Sequence, residues 1–88
     1  MKQLFFLLLL FLPTFGFTQL NTTNAIHTGR SRLYFGNYTG AIERFNMVIK
    51  IKPYLPEPYF YRGVAKLNLD DFRGAKRDLD KADRKSVV

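Results

Sequence analysis

Residues 37–53 read Asn37-Tyr38-Thr39-Gly40-Ala41-Ile42-Glu43-Arg44-Phe45-Asn46-Met47-Val48-Ile49-Lys50-Ile51-Lys52-Pro53, a helix with a start, one apolar face and a stop. Asn37 is a capping residue, because its short side chain can accept a hydrogen bond from a backbone N–H left without a partner in the first turn. Tyr38, Ala41, Ile42, Phe45, Val48 and Ile49 recur at three- and four-residue steps and form one apolar stripe. Lys50 and Lys52 place cations at the negative end of the helix dipole. Pro53 ends it, having no N–H and a ring that collides with the preceding turn.

Working outward from this helix, the same pattern returns 34 residues later. Laying residues 22–55 over 56–88 brings Gly29 onto Gly63, Leu33 onto Leu67, Gly40 onto Gly74 and Ala41 onto Ala75. Arg32 meets Lys66, Asn37 meets Asp71 and Tyr38 meets Phe72. The second copy of the helix is capped by Asp70 or Asp71, and Phe72, Ala75, Leu79 and Ala82 line its face. Each of these two helices is preceded by another. One runs from about Glu57 to Leu69, after Pro56 and Pro58, which a first helical turn tolerates; Tyr59, Phe60, Gly63, Val64 and Leu67 are available to pack it. Its counterpart runs from about Thr23 to Phe35, with Thr28 and Arg32 where larger apolar side chains are expected. Gly29 and Gly63 fall mid-helix, where glycine costs about 1 kcal/mol relative to alanine. A steric reason is expected: each lets the partner helix approach closely, with Ala41 and Ala75 serving the same contact from the other side.

The period, Gly29 and Gly63, Tyr38 and Phe72, Ala41 and Ala75, Phe45 and Pro53 resemble the tetratricopeptide repeat (TPR) pattern, and the stretch Tyr59–Ala75 resembles it most. The resemblance covers residues 22–88. It implies an all-α fold: two helix-turn-helix repeats, about 22–55 and about 56–88, forming a short right-handed α-solenoid. The chain departs from the pattern at Ala25, where the family has a large aromatic residue, at Leu79 in place of Phe45, and at Val87 in place of the closing proline.

The first residues read as an address. Lys2 precedes the apolar run Leu4–Leu12, Pro13 interrupts it, and Gly16 and Thr18 are the small residues of a cleavage site before Gln19. The run is short for a membrane span, which needs about 20 apolar residues. Residues 1–18 are therefore expected to be a signal peptide and 19–88 a TPR domain. The composition of this segment and its Phe-Thr-Gln ending resemble signal peptides of Bacteroidetes-type bacteria, implying a periplasmic or extracellular protein. An 88-residue chain leaves room for one small domain. The absence of cysteine rules out disulfides, thiolate metal sites and thiol nucleophiles. The net charge is +7, or +6 once Lys2 is removed, which favours anionic partners without naming one.

Nothing in the pattern suggests an enzyme. His27 is the sole histidine, Asp70 and Asp71 stand where a helix cap is needed, and no glycine-rich phosphate loop is present. No catalytic residue, cofactor or metal is expected. Asp78, Asp80 and Asp83 alternate with Lys76, Arg77, Lys81, Arg84 and Lys85 at spacings typical of a solvated face, with Lys76–Asp80 and Asp80–Arg84 as surface pairs. The TPR resemblance implies a non-enzymatic scaffold in the bacterial envelope that binds a protein or peptide through the first helix of each repeat. Carried over by position, the concave groove holds His27, Arg30, Tyr34, Phe60, Tyr61, Val64 and Asn68, with Ile26, Leu33 and Leu67 beside them. Only fragments of the family's carboxylate clamp are present, so that specificity is not carried over. The alternative is a basic face of Arg73, Lys76, Arg77, Lys81 and Arg84 binding polyanions or anionic membrane headgroups, nucleic acid being the least favoured partner. A further alternative is a structural piece of a longer array. Helical repeats bury a continuous core by stacking, and about three are needed for stability alone, so either the polar last helix acts as its own cap, or the chain is a shortened member of a longer array, or a partner or self-association supplies the remainder.

Overall fold

The computed structural model describes residues 21–86, and these form four α-helices with no strand. They are α1 (Thr22–Tyr34), α2 (Tyr38–Ile51), α3 (Pro56–Asn68) and α4 (Phe72–Ser86). The proposed address segment, 1–18, lies outside the described residues, and no described helix is long and apolar enough to cross a membrane. Helices α1 and α3 both have 13 residues and start 34 positions apart; α2 and α4 start 34 positions apart as well.

Local chemistry sets these ends. The Asn21 side chain accepts from the Asn24 amide and that of Asn37 from the Gly40 amide at 3.1 Å. Of the two candidate caps for α4, Asp71 is the one used, accepting from the Gly74 amide at 3.0 Å. Pro56 opens α3, where its missing N–H costs nothing. Both α1 and α3 stop in the same way. The Gly36 and Asp70 amides donate to Leu33 and Leu67 carbonyls, and the Asn37 and Asp71 amides to those of Arg32 and Lys66. The two turn residues have positive φ, +84° for Gly36 and +62° for Asp70.

The core is made of small residues around one large ring. Ala41, Phe45, Val48, Ala65 and Ala75 are fully buried, with Ala25, Tyr59 and Ala82 nearly so. α1 packs on α2, α3 on both, and α4 on α3. Gly29 and Gly63 mark the close approaches. A β-carbon on Gly29 would stand 2.7 Å from the Phe45 ring; on Gly63 it would meet Leu79 at 2.9 Å and the Ala75 backbone carbonyl at 3.3 Å. The partner of Gly29 is therefore Phe45, whereas the expected alanine contact is made only through the Ala75 backbone.

Three packing expectations differ from the structure. Phe72 is exposed: it is the first residue of α4, and the buried stripe begins one turn later at Ala75. Phe60 and Leu67 are also exposed. Most consequential is Asp78, expected on a solvated face and found 2% exposed. It lies in the buried stripe of α4, between Ala75 and Ala82, and its charge is met there by two cations of α3.

Candidate functional site

The residues expected to form a binding face lie on α1 and α3, and a polar lock ties α3 to α2 and α4. Arg62 on α3 donates from Nε and Nη2 to the two carboxylate oxygens of Asp78 on α4, both at 2.7 Å. Its Nη1 donates to Asn46 on α2 at 2.8 Å. Lys66 reaches the same carboxylate at 2.9 Å. One guanidinium thus ties three helices, and the bidentate geometry fixes direction as well as distance. Burial alone would push the Asp78 carboxyl up, but the hydrogen bonds from Arg62 and Lys66 outweigh it and hold the group below the usual carboxylate range. The reciprocal bond raises the Arg62 pKa.

Tyr61, next to Arg62 on α3, belongs to an aromatic cluster. The Tyr61 ring stacks on the buried Phe45 ring, with centroids 5.8 Å apart and planes 20° apart. Arg30 lies over the Tyr61 ring, 5.1 Å from its centroid, within cation–π range. His27, Arg30, Tyr34 and Tyr61 border a shallow cavity of about 450 Å³ with Ser31 and Leu33. Tyr34 is 85% exposed, and Phe35 meets it edge-on at 5.3 Å. Phe60 stands edge-on to Tyr61 at 5.2 Å. The structure thus brings His27, Arg30, Tyr34 and Tyr61 together and places Phe60 next to them. Val64 is half-buried, and the Asn68 amide nitrogen donates to the Val64 carbonyl at 2.9 Å, leaving its oxygen as the group free to accept. Arg30 is turned onto an aromatic face, which sequence spacing does not show because Tyr61 is 31 positions away.

Of the basic set on α4, Arg73, Lys76, Arg77, Lys81 and Arg84 are all exposed. Lys76 pairs with Asp80 at 3.0 Å, while the expected Asp80–Arg84 pair is not among the ion pairs of the described residues. Lys81 and Lys85 lie over the Tyr59 ring, at 5.7 and 5.3 Å, and Arg62 is at 5.6 Å. The Tyr59 hydroxyl donates to the Pro53 carbonyl at 2.8 Å, so this nearly buried ring links the α2–α3 turn to α4. Part of the basic face is therefore structural, a role that the alternation of charges along α4 conceals.

Among the described residues no three His, Cys, Asp or Glu side chains stand together in a way that could hold a metal ion. No protein-family model, no curated protein and no solved structure matches the chain.

Proposed function

We propose that the chain is an exported, non-enzymatic helical module of the tetratricopeptide type, with two 34-residue units, whose α1/α3 face binds a protein or peptide segment. The repeat reading is supported by the common 34-residue offset of the helix starts and by the paired caps Asn37–Gly40 and Asp71–Gly74. It is also supported by the matching chain reversals at Gly36 and Asp70. The observation that carries the binding reading is the clustering of His27, Arg30, Tyr34 and Tyr61 around one shallow cavity, with the Tyr34 ring 85% exposed. Aromatic side chains and arginine are the residues that most often anchor protein interfaces, and a fixed aromatic platform loses little entropy on binding.

Site-specific photo-crosslinking in expressing cells tests this. A photoreactive phenylalanine at Tyr34 or Phe60 is expected to give a discrete crosslinked species that Arg30→Ala weakens, and the same probe at Thr39 is expected to give none. No adduct from either α1/α3 position would contradict the reading. The export part is checked separately by the mass of the protein recovered from those cells, expected to start at Gln19.

A second reading has its own observation. Arg73, Arg77 and Arg84 are exposed and take part in none of the ion pairs of the described residues. A face of this kind suits anionic headgroups, and such binding would weaken steeply as salt rises.

A further inference from the structure

Between α3 and α4 lies a groove of about 500 Å³ bordered by Glu57, Phe60 and Tyr61 of α3 and by Leu79, Ala82 and Asp83 of α4. No described element covers it. Its counterpart within the same chain is covered. Shifting Leu79, Ala82 and Asp83 back by 34 positions gives Phe45, Val48 and Ile49 of α2, and there α3 lies across the surface. Tyr61 stacks on Phe45, Arg62 reaches Asn46, and Phe45 and Val48 are left with no exposure at all. Tyr61 is the α3 residue stacked there, with the buried Pro58 and Ala65 about one turn before and after it. Shifting them back by the same 34 positions gives Asn24, His27 and Ser31 of α1, all three exposed. Among the described residues there is thus an uncovered receiving groove on one end and, on the other, an uncovered helix in the register that such a groove receives.

Charge agrees with register. In a chain of net charge +7, the groove carries two carboxylates, Glu57 and Asp83, and no Lys or Arg. α1 carries Arg30, Arg32 and His27 and no acidic residue. Opposite charges facing one another set orientation and disfavour the groove's other obvious occupants, such as an acidic helix.

We infer that the α3/α4 groove receives α1 of a second copy, so that chains stack head to tail. The inference rests on the 34-residue repeat proposed above. Because the two contacting surfaces differ, the contact is heterologous, and unless the rotation closes a ring it continues from copy to copy. Asn24, His27 and Ser31 offer less apolar area than Pro58, Tyr61 and Ala65, so the contact between copies is weaker than the one within the chain.

Sedimentation equilibrium of the protein purified from cells expressing the full chain tests this, over roughly 10 to 500 µM, the range in which a weak contact of this size is populated. The average mass is expected to rise through dimer and beyond, and to rise less in 0.5 M salt. Ser31→Trp places a bulky ring on the α1 face, and Asp83→Lys reverses the charge of the groove. Both sites are exposed, so the fold tolerates them, as a circular dichroism spectrum checks. Each variant alone is expected to remain monomeric. Mixed, they retain one good groove and one good α1 face, and are expected to form a 1:1 complex and nothing longer. A wild-type chain that stays monomeric at the highest concentration overturns the inference. So does a mass that stops at two, or a mixture of variants that does not associate. Asp83 does not border the cavity that holds His27, Arg30 and Tyr34, so crosslinking from Tyr34 in Asp83→Lys reports on the binding reading independently of stacking.

Discussion

Gly36 and Asp70 hold the same place in their two chain reversals, with φ of +84° and +62°. Glycine adopts this conformation without cost, whereas a side chain is strained there by about 1 kcal/mol. Asp70 also brings a negative charge to the C-terminal end of α3, where the helix dipole disfavours it. Asp70→Gly is therefore expected to stabilise the fold by about 1 kcal/mol, raising the melting temperature by roughly 5 °C in a domain of this size; a thermal melt with no rise would contradict the strain. Asp78 is the opposite case. Removing its carboxylate leaves Arg62 and Lys66 half-buried without their partner, and Asp78→Ala is expected to cost about 2–3 kcal/mol, below the full value for a deeply buried pair because both cations retain some water contact. The sign of its pH dependence follows from a folded-state pKa held below the unfolded value near 3.8. The unfolded chain then binds the extra proton, so the stabilisation is full above about pH 5 and is lost as the pH falls through the folded pKa. Urea melts between pH 6 and 2 are expected to show a steeper acid loss in the wild type than in Asp78→Asn; parallel curves would contradict this.

At the level of elements, the two glycine contacts differ in what surrounds them. The ring that would meet a β-carbon at Gly29 is fully buried and stacked on Tyr61, so it has nowhere to go. Leu79, opposite Gly63, borders the open groove and can move into it. Gly29→Ala is thus expected to destabilise by about 1–3 kcal/mol through overpacking. In Gly63→Ala the gain of about 1 kcal/mol in helix propensity offsets much of a smaller clash; denaturant melts that rank the two variants the other way would contradict the packing described. The helices themselves were legible because their signals are local. Asn37, Asp71, Pro56 and the three- and four-residue apolar spacing each act within one turn, and the observed ends fall within a residue or two of those read from them. Asp78 was not legible. On its own helix it sits among lysines, arginines and aspartates like any solvated acid, while the guanidinium that buries it is 16 positions away on α3. One local sign was present: Asp78 is three residues after Ala75 and four before Ala82, within the buried stripe rather than opposite it. Phe72 misled in the other direction, since a spacing pattern cannot tell whether the first position of a stripe is covered.

For the whole molecule, the proposed binding face is a single surface only if the two helical hairpins form one unit. The joint includes the Phe45–Tyr61 stack, Arg30 over the Tyr61 ring, the Arg62 bond to Asn46 and the Tyr59 hydroxyl on the Pro53 carbonyl, and Asp78 holds Arg62 in place for it. The sequence showed the candidate site as a set of positions on α1 and α3. It did not show that Arg30 lies on Tyr61, or that His27 and Tyr34 share a cavity with them, because those contacts cross from one hairpin to the other. Native-state amide hydrogen exchange tests the joint most directly. The slowest amides, at Phe45 and Val48 in α2 and at Ala65 in α3, are expected to exchange with one common free energy, and Asp78→Ala to lower all three together. If Asp78→Ala lowered Ala65 alone while Phe45 and Val48 kept their protection, the hairpins would be separate units and the shared binding face would be contradicted.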